Sequence, residues 1–160
     1  MTRAITPARP ASAVFRNTRL LVLFGCTTLH LLLADIIGSP WGVPDLTLVG
    51  LLLVVAQAPE RWLAPAIIAG MCAMTWAMRF PGPIFLGYVG FGWLAQRLAR
   101  HWDLMDVVVQ RAAVLTASLS LGLGMLWLQD LWSVPLVGCV VLRAVLTDVS
   151  LRLIRSVTGS

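Results

Sequence analysis

The chain contains no lysine, two histidines and three cysteines among 160 residues, and charged side chains make up only 12% of it. Each scarcity narrows the field. Soluble domains carry roughly 25% charged residues, so a content of 12% with 59% hydrophobic residues and a mean hydropathy of +0.87 points to an integral membrane protein. The net charge of +5 comes entirely from arginine. A basic balance suits nucleic acid when it covers one soluble face; here the arginines sit in short stretches between apolar runs, which excludes that partner. Cys26, Cys72 and Cys139 fall singly in three different apolar runs with no Cys-x-x-Cys spacing. They suit small packing positions rather than a metal or disulfide framework. There is no His-Glu-x-x-His, no Gly-x-Ser-x-Gly and no phosphate-cradling glycine loop ahead of a lysine. An enzyme would have to be assembled from His30, Asp35, Arg143 and Asp148, and the loops are too short for a soluble catalytic domain. The expectation is a non-enzymatic protein with no cofactor.

What is present is a series of apolar runs separated by short polar turns, predicting an all-α, polytopic membrane protein with about six transmembrane helices. Residues 1–19 form a basic tail. The spans are expected over 20–37, 46–58, 62–78, 84–99, 107–128 and 134–154, with 156–160 a second tail. The first apolar run ends in Ala34-Asp35-Ile36-Ile37 without a small-x-small cleavage site, so it reads as a retained anchor rather than a secretory signal. The second run, Val43 to Ala58, is about 24 Å long as a helix, near the lower limit for crossing hydrocarbon. It opens on a Trp/Gly/Pro turn and closes at Pro59-Glu60-Arg61. Arg79 to Pro83 is expected as a tight turn between spans three and four.

Arginine distribution orients the plan. With the N-terminus inside, the cytoplasmic segments hold Arg3, Arg9, Arg16, Arg19, Arg61, Arg97, Arg100, Arg152 and Arg155, against Arg79 alone in the outer loops. Nine against one is a strong positive-inside bias and puts both termini in the cytoplasm. Six of the tryptophans (Trp41, Trp62, Trp76, Trp102, Trp127 and Trp132) fall near span ends, where an amphipathic indole sits among headgroups, and only Trp93 lies well inside a span.

Helices in lipid associate through small residues at spacings of three or four. Span three offers Ala69, Ala73 and Ala77; span five offers Ala113, Ala117, Ser120 and Gly124; span four offers Gly87, Gly90 and Gly92. These stripes serve packing within the bundle, or leave one face for the helix of a partner. Arg111 lies about one turn inside span five, where its stem can reach back to the headgroups. Arg143 is near the centre of span six, where an arginine costs about 2.5–3.5 kcal/mol even on insertion scales, so it needs a partner. Asp148, five residues on, points roughly 140° away around the helix and suits Arg152 at i+4 instead. The candidates for Arg143 are His30 at comparable depth, Asp35 nearer the outer face, or a group on a bound partner or substrate.

Pro44-Asp45-Leu46 opening a short apolar span, the Pro59-Glu60-Arg61 turn, the glycine-bearing span from Ala66 to Gly70, and the helix with Gly87, Gly90 and Gly92 ending in Arg97 and Arg100 together resemble the bacterial rod-shape-determining protein MreD family. The likeness covers roughly residues 41–100. Met74 stands four residues after Gly70, where that family often carries an aspartate. The resemblance implies a scaffold subunit of the cell-elongation machinery in the bacterial cytoplasmic membrane. It would bind an MreC-like protein and help couple MreB filaments to RodA and penicillin-binding protein 2. It further implies contacts through a helical face including Asp45 at the start of span two and the basic inner loop with Arg97 and Arg100. The family itself resembles the substrate-binding S components of vitamin uptake transporters, which leaves a second expectation of a substrate pocket near the outer face.

Overall fold

The computed structural model describes residues 13–38, 42–75 and 81–158; Trp41, Trp76, Ala77, Arg79, residues 1–12 and residues 159–160 lie outside them. The described residues form six α-helices: α1 (Ala13–Ile37), α2 (Leu46–Gln57), α3 (Leu63–Met74), α4 (Pro81–Leu98), α5 (Val107–Leu128) and α6 (Val134–Thr158), with a 3-10 turn at Pro59–Arg61. Among the described residues, three stretches are long and apolar enough to cross a membrane, Leu20–Ile37, Val107–Leu128 and Val134–Ser156. Several boundaries depart from expectation, among them that of α6, which runs on to Thr158 through the first part of the expected second tail. Residues 13–19 are helical and continuous with the apolar part of α1, and Pro81 to Pro83 are not a separate turn but the start of α4. Proline is tolerated there because first-turn N–H groups have no intrahelical partner.

The helix ends follow local chemistry. Asp45 and Asp106 cap α2 and α5, their carboxylates accepting from the Leu48 and Val108 N–H groups at 3.1 and 2.8 Å. At the far end of α5, Asp130 adopts φ 53°; its N–H reaches the Trp127 carbonyl and that of Leu131 reaches Leu126. This pair of bonds closes the helix as a left-handed cap and satisfies carbonyls left open by the last turn.

Neighbour relations place α2 at the centre. It touches all five other helices, which follow one another around it in the order α1, α3, α4, α5, α6. Every residue from Leu46 to Val55 is buried, so α2 is apolar on all sides because it has no lipid- or water-facing side. Twelve residues make it about 18 Å long, against about 30 Å for a bilayer's hydrocarbon core. Within the arc, α3 packs closely on α4 and α5 on α6, whereas α4 and α5 meet lightly.

Close contacts rest on glycines. A Cβ at Gly92 would stand 2.6 Å from the Ala66 Cβ of α3, one at Gly122 would stand 2.5 Å from Val140 of α6, and one at Gly50 would stand 3.0 Å from Cys26 of α1. Ala69 and Ala73 are buried as the α3 stripe requires. The α5 stripe divides: Ala113 and Ala117 are buried as expected, whereas Ser120 is exposed and with Gly124 lines open recesses, and Gly122 makes the tight approach to α6. Gly92→Ala should therefore lower stability by about 1–3 kcal/mol, because neither backbone-anchored carbon can move aside. Gly90→Ala, with nothing within 4 Å of the added carbon, should be neutral or stabilising by up to about 1 kcal/mol. Thermal or denaturant unfolding of the detergent-solubilised pair measures the difference.

Candidate functional site: a buried polar cluster at the head of α2

His30 lies seven residues before the end of α1, about 10 Å along the helix, and its Nδ1 is 2.8 Å from the Pro44 carbonyl oxygen. A carbonyl only accepts, so Nδ1 carries the proton. The contact draws residues 42–45 down alongside α1, and α2 starts well inside the bundle. Asp45, expected at the start of span two as part of a partner-contacting face, is instead 1% exposed. It ends up at the depth of Arg143, nine residues into α6, or about 13 Å.

Arg143 Nη2 donates to Asp45 Oδ2 at 2.8 Å. Tyr88 of α4 places its hydroxyl 2.8 and 2.7 Å from the two carboxylate oxygens, and the Leu48 N–H donates to Oδ1. The Asp45 N–H in turn donates to the Thr147 hydroxyl at 2.8 Å, and that hydroxyl donates to the Arg143 carbonyl one turn back, at 2.7 Å. One carboxylate thus joins α2, α4 and α6, with α1 attached through the neighbouring Pro44. The burial is nearly complete: Tyr88 and Arg143 are 2% and 6% exposed. The positive end of the α2 dipole also points at Asp45, a further reason for the charged carboxylate to sit there.

The ion-pair partner of Arg143 is therefore Asp45, a residue outside the candidates His30 and Asp35. His30 is used on Pro44, and Asp35 is exposed in the last turn of α1. Asp45 escapes a hydropathy reading because a residue ahead of an apolar run is assigned to the loop, and depth inside a bundle has no sequence signal. The Pro-Asp before the run is an N-cap pattern, and that was the available clue.

A second polar group lies toward the other end of α6. Asp148 accepts from Arg152 Nη2 at 2.8 Å, the i+4 pair expected, and also from Arg111 Nε of α5 at 2.9 Å. Arg111 thus has a partner across the α5–α6 contact in addition to any reach toward headgroups. Nearby, Gln110 donates to the Leu104 carbonyl and accepts from Arg155. Arg97 and Arg100 join neither cluster. Both are exposed, and the Arg97 guanidinium stands 5.5 Å from the centre of the Trp93 ring, within cation–π range.

One recess adjoins the first cluster and a second lies next to that recess. An alcove of about 110 Å³, at the end of the bundle where α4 begins and α5 ends, is floored by Asp45, Tyr88 and Arg143 and walled by Ile84, Leu121 and Met125. A groove of about 620 Å³ runs between α4 and α5. Among the described residues no three His, Cys, Asp or Glu side chains come together as a metal site needs. No protein-family model matches the chain, and neither does any curated protein or solved structure.

Hydrogen bonds to charged groups contribute about 1.5–3 kcal/mol. Tyr88→Phe, which removes one donor from the buried carboxylate and keeps the ring, should lower stability by an amount in that range. Asp35→Asn, at an exposed position outside the cluster, should stay within about 0.5 kcal/mol of the parent. Equal effects of the two substitutions in an unfolding assay would contradict the ranking.

Proposed function

We propose that the chain is a non-enzymatic scaffold subunit of the bacterial cell-elongation machinery, crossing the cytoplasmic membrane six times with both termini inside and working by helix contact with partner membrane proteins. The observation that carries this reading is where the charges go. Asp45 and Arg143 face one another, Asp148 takes Arg111 and Arg152, and what is offered outward is apolar surface along the helices, with exposed charges gathered toward the helix ends and the turns, Arg97 and Arg100 among them. Such a surface suits association rather than turnover. The Pro44-Asp45-Leu46 motif of the MreD resemblance coincides with the residue on which three helices converge, which adds to the reading. An MreC-like protein, RodA, penicillin-binding protein 2 and MreB are the partners it implies.

A second reading, a substrate-binding subunit of a vitamin uptake transporter, draws on the alcove with its polar floor. Its volume of about 110 Å³ is well below the roughly 300–1,000 Å³ usual for small-molecule sites, so the scaffold reading leads.

Reversing both basic residues, Arg97→Glu with Arg100→Glu, tests the proposal without touching the buried clusters. At equal levels of inserted protein, copurification of an MreC-like partner and of MreB should fall by about tenfold, the equivalent of losing about 1.4 kcal/mol of binding. Unchanged capture would remove the basic edge from the interface.

A further inference from the structure

The two buried carboxylates are neutralised unequally. Asp45 pairs with one arginine, Arg143. Asp148, also buried, pairs with two, through Arg111 Nε from α5 and Arg152 Nη2 from its own helix. Two guanidiniums against one carboxylate leave a surplus positive charge, and it reaches the surface, since the Arg111 and Arg152 side chains are 39% and 54% exposed. Bonded to the two oxygens of one fixed carboxylate, the guanidiniums are held next to each other there. Helices α5 and α6 are both long and apolar enough to cross a membrane. They pack antiparallel, Gly122 against Val140 and Arg111 against Asp148, so the start of α5 and the end of α6 share one end of the bundle. Measured from the turn that joins them at the opposite end, Arg111 lies about 26 Å from Leu128 and Arg152 about 27 Å from Val134 along the helices. With about 30 Å of hydrocarbon to cross, both arginines stand at its boundary with the headgroups. Back from Arg152 along the exposed side of α6, at helical spacings of three and four, come Val149, Val145 and Val141, all close to half exposed. From Arg152 to Val141 is about 16 Å, against about 15 Å for one leaflet of hydrocarbon.

We propose that Arg111 and Arg152, positioned by Asp148, bind the phosphate of a phospholipid with a net negative headgroup, of the phosphatidylglycerol type, whose acyl chain lies along Val149, Val145 and Val141 toward the middle of the bilayer. Three features select this occupant. The surplus of one positive charge favours a headgroup that keeps its negative charge over a zwitterionic one. Arginine forks match phosphate oxygens in geometry; Asp148 engages one nitrogen of each fork, and the exposure of both side chains puts the rest of each fork within reach of a ligand. The apolar stripe runs from the charged end toward mid-bilayer, as a lipid in its own leaflet does, which separates a lipid from a soluble phosphate. The site is independent of which machinery the chain serves and rests only on α5 and α6 crossing the bilayer.

The shared carboxylate makes the proposal testable without stranding a charge, because Arg111→Gln and Arg152→Gln each leave Asp148 one arginine. The full chain, with a photoreactive residue replacing Val149, is reconstituted in phosphatidylcholine vesicles containing a trace of tritiated phosphatidylglycerol or, in parallel, the same amount of tritiated phosphatidylcholine. A basic residue at the membrane surface contributes about 1 kcal/mol toward anionic lipid, so capture of phosphatidylglycerol should exceed that of phosphatidylcholine by about fivefold. Either glutamine variant should bring the two to parity, while Arg61→Gln, at an exposed turn position outside the site, leaves the preference intact. A photoreactive residue replacing the exposed Met71 of α3 should show no preference. Equal capture of the two lipids at Val149 would overturn the proposal, as would a preference that survives both glutamine variants or is as strong at Met71, which would mark attraction to the whole bundle. The comparison of lipids on the native arginines decides this even if a glutamine variant fails to fold. Inorganic phosphate that abolishes capture where chloride of equal ionic strength does not would give the site to a soluble anion and overturn it too. So would a protein adduct at Val149 in cells, which would show a partner covering the stripe. Loss of lipid capture at Val149 and Met71 alike would instead deny the membrane crossing, and the site with it.

Discussion

A carboxylate and a guanidinium held 2.8 Å apart inside an apolar bundle constrain most of what surrounds them. Neither charge is tolerable there alone, since desolvation costs several kcal/mol per ion and is recovered only when geometry is good and the remaining hydrogen-bonding capacity is filled. Asp45 meets that condition through Tyr88 and Leu48, and its own N–H is taken by Thr147. The pair contributes specificity more than raw stability. A hydrophobic replacement of the same shape would bury as well, but it would not, as the ion pair does together with the Thr147 bond to the Asp45 N–H, fix where α2 begins along α6 and which face α4 turns inward.

That placement explains the architecture. Because residues 42–45 descend beside α1 before the helix starts, α2 needs only twelve residues and is enclosed on every side. The remaining helices form an arc around it, and glycines at Gly50, Gly92 and Gly122 set the distances. Three packed pairs of sequence neighbours result, and the arc is loosest where α1 meets α3 and where α4 meets α5. The α4–α5 seam runs up to Leu121, and on its other side lies the alcove floored by Asp45, Tyr88 and Arg143, the residues that order the bundle.

Hydropathy and arginine placement make much of this legible before any coordinates. The extents of α5 and of the apolar parts of α1 and α6 follow from run length, and the Asp148–Arg152 pair follows from a four-residue spacing. The need of Arg143 for a partner follows from its position mid-helix. Its actual partner does not, because pairing across 98 residues depends on how deep a connecting segment dips, which composition does not encode. Arg111 illustrates the same limit from the other side: position along one helix suggests a snorkelling side chain, and only the register between α5 and α6 brings it to Asp148. Small-residue stripes on α5 mislead in a related way. Gly122 faces α6 while Ser120 and Gly124 face open recesses, a difference of rotation that spacing alone leaves undetermined.

The most direct measurement of the central interaction is a double-mutant cycle on Asp45→Asn, which keeps the α2 cap, and Arg143→Met, read by unfolding in detergent. Each single substitution strands a buried charge and should cost about 3–5 kcal/mol. The double variant should cost less than the sum of the two by about 2 kcal/mol or more, the signature of directly coupled residues. Effects that add within about 0.5 kcal/mol would mean that the two side chains do not depend on one another, and that α2 is positioned by packing alone.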